Sequence, residues 1–253
     1  MLQKHKLQHR CKINYSFFIT FTMLKAENLV KRFGSVTVLK NLNLTVQPGE
    51  VFALLGQNGA GKTTTINLFL GFIDPTEGNT YINGISVQDQ PVETKKYLSY
   101  IPETVMLYPT LTGIENLTFF SSLAGFSYSS DELSGFLTKA GLDEVHHNKR
   151  LGGFSKGMRQ KVGIAISLAK QAKVLLLDEP TSGLDPKASN EFSAILKELS
   201  SNGISILMAT HDIFRAKEVA HRIGIMKEGE LVSVIDAATI SANELENLYL
   251  QTV

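Results

Sequence analysis

The sequence predicts an α/β fold in which helices flank a layered sheet. Two observations predict it. Val51–Leu55 and Val174–Leu177 are unbroken apolar runs of strand length, the pattern of strands covered on both faces. Strand-like and helix-like stretches also alternate along most of the chain, as they do in layered α/β proteins.

The elements follow in order. Leu24–Val30 alternates toward a strand, and a second run over 36–46 carries apolar Val36, Val38, Leu42, Leu44 and Val46. Gly34-Ser35 turns the chain between them, and Pro48-Gly49 turns it after them. The buried run Val51–Leu55 passes into a glycine-rich loop and then a helix over Thr63–Leu70. Tyr81–Val87 reads as a short strand pair turning at Asn83-Gly84. Ile114–Ala140 is helical in pattern, with Ser and Gly interruptions, and another helix runs from near Ser155 to Ala169. After the strand Val174–Leu177 come a helix (Lys187–Leu199), a strand (Ile204–Ala209) and a helix (Ile213–His221). Strands Ile223–Met226 and Leu231–Ile235 join through Glu228-Gly229. Ser241 and Glu244 form a capping box that opens a last helix, with Leu245, Leu248 and Tyr249 on one side as packing residues.

Composition narrows the classes. With 253 residues, 43% apolar and 19% charged, the chain can bury a sizeable core and is not of disordered type. A formal charge of +1 supplies no global field for nucleic acid or anionic lipid, and no nucleic-acid partner is expected. Cys11 is the single cysteine, so no intrachain disulfide forms, and a reducing compartment is the natural reading. No stretch reaches the roughly 18 unbroken apolar residues of a spanning helix. Ile13–Leu24 comes nearest, after the basic residues Lys4, Lys6, Arg10 and Lys12, but Asn14, Ser16, Thr20 and Thr22 break it. No small-residue cleavage site follows, which sets it apart from a signal peptide. Residues 1–22 are therefore expected to be a leader, disordered or non-native, ahead of a domain over 23–253.

The chemistry is concentrated in a few places. Gly56-Gln57-Asn58-Gly59-Ala60-Gly61-Lys62-Thr63 meets the phosphate-loop pattern G-x-x-x-x-G-K-[ST] at every fixed position, between a strand and a helix. Glycines let the backbone wrap close to an anion, so that several N–H groups converge on it beside the positive end of the helix dipole. Lys62 can reach the β- and γ-phosphates, and the Thr63 hydroxyl can bind Mg²⁺. The run Val174–Leu177 ends in Asp178-Glu179-Pro180. Acids at the carboxyl end of a parallel strand sit where such sheets bind ligands. Asp178 can approach a Mg²⁺ shell while Glu179 faces an attacking water. Solvated acids at a capped strand end would read the same way.

Three further segments place the chain. Phe154-Ser155-Lys156-Gly157-Met158 resembles the signature loop of ATP-binding cassette proteins, usually L-S-G-G-Q. Ser182-Gly183-Leu184-Asp185 resembles the loop after that family's catalytic acid, and His211 its switch histidine. Phe33 matches the aromatic that stacks on adenine. In order and spacing these motifs resemble the ATP-binding subunit of an ABC transporter from about Met23 to Val253. Three positions depart from the family's usual form: Lys156 stands where a second glycine is usual, Met158 where glutamine is usual, and Glu103, in Tyr100-Ile101-Pro102-Glu103, where glutamine is usual. Glu103 and the Ser-Lys-Gly signature resemble export-type subfamilies. A cation at a helix start is disfavoured by the dipole. Either a bound triphosphate offsets that cost, or the side chain points to solvent.

The resemblance implies a P-loop NTPase core of α/β class with an antiparallel β subdomain and a helical subdomain at about 100–165. It implies ATP and Mg²⁺ as ligands. Phe33, residues 56–64 including Thr64, Glu103, Ser155, Gly157 and Asp178 would contact nucleotide, and Thr63, Glu103 and Asp178 would hold the metal. Lys62, Glu179 and His211 would be catalytic, with His211 linking the γ-phosphate to Glu179. Two copies, or one copy and a paralogous subunit, would pack head to tail. The segment Ser99–Thr112 would then face a separate transmembrane permease, on the cytoplasmic side of the membrane. A soluble cassette ATPase acting on ribosomes or DNA is the alternative, and a regulator without turnover is another, against which Lys62, Glu179 and His211 all argue. His146-His147 reads as a surface pair without a third ligand, and Phe17-Phe18 and Phe119-Phe120 as packing residues.

The leader reading has a direct check. A chain starting at Met23 is expected to keep full ATP turnover and the same melting temperature. A loss of several degrees on truncation would show instead that the Phe17–Phe21 cluster docks on the core.

Overall fold

The computed structural model describes residues 22–252, so the leader reading lies outside the described residues save for Thr22. The elements are β1 (Leu24–Phe33), β2 (Val36–Val46), β3 (Val51–Gly56), α1 (Lys62–Phe69), β4 (Glu77–Ile82), β5 (Ile85–Ser86), α2 (Pro91–Thr94), β6 (Leu98–Ile101), α3 (Gly113–Leu123), α4 (Ser130–Lys139), α5 (Lys156–Ala169), β7 (Val174–Asp178), α6 (Pro186–Ser201), β8 (Ser205–Thr210), α7 (Ile213–Val219), β9 (Arg222–Lys227), β10 (Glu230–Asp236) and α8 (Ala242–Thr252). They build two sheets. One is antiparallel, in the order β2-β1-β4-β5, and the other runs β10-β9-β3-β8-β7-β6. In the second sheet β9, β3, β8, β7 and β6 pair in parallel, and β10 closes the edge antiparallel.

The apolar runs explain the layering. Successive strand residues face opposite sides, and β3 is buried at every position. Val51, Ala53 and Leu55 enter a core with residues of α3 to α8, whereas Phe52 and Leu54 enter a second core with β1, β2 and α1. Leu175 and Leu177 of β7 take the first side and Leu176 the second. The central sheet is thus sandwiched between helices and the antiparallel sheet.

The helical stretch read over 114–140 resolves into two helices. Gly125, at φ 88°, ends the first, and each helix opens with its own capping box, Thr112 with Glu115 and Ser129 with Glu132. Leu117, Leu133 and Leu137 turn inward in the same core as Val162 of α5, and the Tyr128 hydroxyl donates to the Ala169 carbonyl at 2.7 Å.

Other sequence expectations change. α7 stops at Val219, short of His221, because the chain there turns to meet β3. The His221 N–H donates to the Val51 carbonyl at 2.8 Å, and the His221 ring Nδ1 accepts from the Val51 N–H at 3.0 Å. His147 is no surface residue: it is buried, 2.8 Å from the Ser134 hydroxyl and 2.9 Å from the Leu142 carbonyl. Phe119 is exposed, packing against Tyr108 and Phe120 at ring-centre distances of 5.0 and 5.2 Å. Among the described residues no helix is long and apolar enough to cross a membrane.

One ion pair ties the two sheets at their shared corner. The buried Glu50 carboxylate accepts from Arg222 Nε at 2.6 Å, from Arg222 Nη2 at 3.0 Å and from the Gln47 N–H at 2.7 Å, and Arg222 also donates to the Thr45 carbonyl at the end of β2. Glu50→Ala strands the guanidinium and an amide donor together. It is expected to cost about 2 kcal/mol in urea unfolding, whereas a loss within error would show that the corner is held by packing alone.

Candidate nucleotide site

The glycine loop leaves β3 and enters α1. Gly61 sits at φ 104°, which requires glycine, and a Cβ there would also crowd Leu39 Cδ2 at 2.6 Å. Gly56 needs its bareness for another reason: a Cβ would meet the Met226 carbonyl of β9 at 2.6 Å. The loop wraps a pocket lined by Val38, Gln57, Asn58, Gly59, Gly61, Lys62, Thr63, Thr64, Glu103, Asp178 and Glu179. Val38 is a member that sequence reasoning missed, since a strand valine carries no functional signal. Ala60 turns inward, buried, with its N–H donating to the Gln57 carbonyl at 3.1 Å and its carbonyl accepting from Gly229.

The charged groups form a chain across the strand ends. Lys62 is buried and donates to the carbonyls of Gly56 at 2.6 Å and Gln57 at 3.2 Å. Its Nζ also stands 3.4 Å from Glu179 Oε1. Glu179 adopts φ 46°, its N–H bonded to the Ala209 carbonyl of β8 at 2.9 Å, so the chain turns directly after Asp178. The other Glu179 oxygen, Oε2, is 2.9 Å from His211 Nδ1 and accepts from the His211 N–H at 3.3 Å. Asp178 accepts from the Thr63 hydroxyl at 3.2 Å. Burial pushes the Asp178 carboxyl up, and neighbouring Glu179 and Glu103 push the same way, while the Thr63 bond and Lys62 oppose them.

Thr63, Asp178 and Glu103 present only oxygen donors to this pocket. That set fits a hard, oxygen-seeking cation such as Mg²⁺ better than a softer metal.

Five predicted contacts do not line the pocket: Gly56 and Ala60, which pack against β9 and the turn at Gly229, and Phe33, Ser155 and Gly157. Phe33 stands half-exposed at the end of β1, with Lys31 Nζ 4.8 Å from its ring centre. Ser155 caps α5, accepting from the Met158 N–H at 3.2 Å. Gly157 packs beneath α6, where a Cβ would sit 3.3 Å from Ala188 Cβ. Lys156 resolves neither to a phosphate nor to open solvent. Its Nζ lies 3.6 Å from Glu103 Oε1, and Ser182 Oγ donates to the same oxygen at 2.8 Å. The Ser182 bond, with Lys156 behind it, holds the Glu103 carboxyl below the usual range.

A phosphate loop between a buried strand and a helix, with paired acids ending β7 in the same parallel sheet, defines a nucleoside-triphosphate-binding α/β domain. The ABC transporter family profile matches residues 39–182, and the chain belongs to that family. It is 33% identical over 214 residues to the linearmycin resistance ATP-binding protein LnrL of Bacillus subtilis (strain 168), covering 84% of this chain and 68% of that protein. The bacitracin transport ATP-binding protein BcrA of Enterococcus faecalis is 35% identical over 221 residues, covering 86% and 70%. The lantibiotic transport ATP-binding protein SrtF of Streptococcus pyogenes is 33% identical over 227 residues, covering 90% and 96%. Among solved structures, an ATP-binding subunit of an ABC transporter superposes with TM-score 0.80 at 31% identity, over 91% of this chain and 99% of that one. A dimeric bacterial ABC transporter cassette superposes with TM-score 0.76 at 29% identity, over 85% and 99%. The chain is an ATP-binding subunit of an ABC transporter.

The Asp178 environment predicts how stability depends on pH. Its carboxyl is raised in the fold, so ionisation at neutral pH works against folding. Asp178→Asn is expected to raise the melting temperature at pH 7. The gain should shrink as the pH falls toward the ordinary aspartate range, where the parent carboxyl is increasingly protonated. Differential scanning calorimetry at pH 7 and pH 4 reads both.

Proposed function

We propose that this subunit hydrolyses ATP, as one of two cassettes closed head to tail, to drive a separate membrane permease of export type from the cytoplasmic face. The observation that carries the hydrolytic reading is the position of Glu179, set between Lys62 and His211 at the mouth of the phosphate loop. Glu179 Oε1 accepts no hydrogen bond and has only the Lys62 charge beside it. A γ-phosphate competes for Lys62 and so releases that oxygen to polarise an attacking water. His211 keeps Oε2 fixed, so the carboxylate need not reorganise as the water's proton comes across. The loop N–H groups and the α1 terminus hold the phosphates, and Phe33 offers its half-exposed ring to the purine. Mg²⁺, held by Thr63 and Asp178 with Glu103 alongside, would neutralise phosphate charge. Ser155 and Gly157 stand outside this pocket, which fits their service to a nucleotide on a second copy.

The permease reading draws support from an apolar face beside the site. Phe72, Tyr108, Phe119 and Leu123 are exposed there, around Tyr100 and Phe120, and such patches mark protein contacts. The relatives named for bacitracin, lantibiotic and linearmycin support an antibiotic exporter over a ribosomal or DNA-directed ATPase.

Glu179→Gln tests the hydrolytic reading. Turnover is expected to fall about 10²–10⁴-fold, with ATP binding preserved. The variant should elute as a dimer with ATP and as a monomer without it, and Ser155→Ala added to it should weaken the dimer. Hydrolysis by Glu179→Gln at the parent rate would overturn the assignment of the base.

A further inference from the structure

Glu103 and Lys156 each replace the residue usual in this family, and the fold brings them together, with Lys156 Nζ 3.6 Å from Glu103 Oε1. The contact is supported from two sides. Ser182 Oγ donates to that same oxygen at 2.8 Å. Gln160, fully buried one turn along α5, points its amide at the carbonyls of Pro102 and Glu103, at 3.4 and 3.3 Å. Gln160 therefore fixes the backbone at Glu103, while Lys156 and Ser182 fix its carboxylate. Glu103 lines the same pocket as Thr63 and Asp178, so its charge is shared between the start of α5 and the metal-binding oxygens.

Neither substitution is easy alone. A carboxylate in place of a neutral amide adds negative charge beside Asp178, whose ionisation burial already opposes. A lysine at the first position of α5 meets the positive end of the helix dipole. Together they offset one another. We propose that Lys156 is a positioning residue for Glu103: its ammonium holds the carboxylate at the start of α5 and competes for it with a divalent cation bound at Thr63 and Asp178. Cation binding then requires Glu103 to leave Lys156. This rests on the reading of the pocket as an ATP site.

The test measures cation affinity directly. Mn²⁺ is titrated into the full chain saturated with a non-hydrolysable ATP analogue, and free Mn²⁺ is read by electron paramagnetic resonance. Lys156→Gly is expected to tighten Mn²⁺ about two- to fivefold, the scale of an exposed ion pair. Lys156→Arg should leave affinity near the parent value, because it keeps the charge. Glu103→Gln should weaken Mn²⁺, and with Glu103→Gln already in place Lys156→Gly should change nothing. A Lys156→Gly effect that persists at full size without the carboxylate overturns the proposal, because the lysine would then act on the nucleotide or the fold. Unchanged affinity in Lys156→Gly alone overturns it as well, leaving the ATP reading intact. A parent chain that fails to bind the analogue sinks the ATP reading and this proposal with it.

Discussion

The parallel register of β3, β8 and β7 is the constraint on which the site depends. Leu55 pairs with Thr210, and Ala209 with Asp178, so the three strands finish at one edge. The residues at that edge are Gly56, which ends β3, and His211 and Glu179, which directly follow β8 and β7. A slip of one residue in any strand would turn its apolar side chains to the wrong core and carry its terminal residue away from the others. Burial on both faces makes such a slip expensive. The same burial that stabilises the domain therefore also sets the spacing between the phosphate loop, the candidate base and its histidine.

What happens at the edge is costly. Asp178 is buried with two other carboxylates near it, Glu179 occupies the left-handed region that a side chain resists, and Lys62 is buried among carbonyls. Each of these is unfavourable locally and persists because the two cores on either side hold the strands in place. The groups also restrain one another. Lys62 is the counter-charge for Glu179, and the Thr63 hydroxyl is the one hydrogen bond on Asp178 that opposes its burial. Under the proposed reading a triphosphate would take over the Lys62 contact that Glu179 already makes, so that binding and release of Glu179 would be a single exchange.

Much of this was legible in the sequence because it is local. The phosphate loop, the two buried runs and the acids ending the second one each lie within a few consecutive residues, and their periodicity states which face is covered. The strand boundaries Val36 and Val46 and the capping box at Ser241 were readable for the same reason. What escaped depends on residues far apart. Val38 lines the pocket because β2 passes over Gly61, a fact with no trace in the valine itself. His147 is buried because α4 and the Leu142 carbonyl enclose it, and α7 ends early because β3 claims the backbone at His221. The meaning of Lys156 was closed to sequence reasoning altogether, since its partner lies 53 positions earlier, on the loop after β6.

That loop also joins the two halves of the functional surface. Its near end is held at Pro102 and Glu103 by Gln160, and its far end at Tyr108, whose N–H and carbonyl are both bound by the buried Asn116 side chain at 2.9 and 3.1 Å. Between these anchors lie four residues, Thr104 to Leu107, of which Thr104 and Met106 are exposed. A segment this short, pinned at both ends, has little slack. It links Glu103, on the pocket, directly to Tyr108, which packs against Phe119 and Phe120. Contiguous packed and hydrogen-bonded elements with two arrangements are the physical means by which distant sites are coupled. Here the distance is small, and under the proposed reading this short pinned segment would carry the state of the phosphate pocket to the aromatic face at Tyr108.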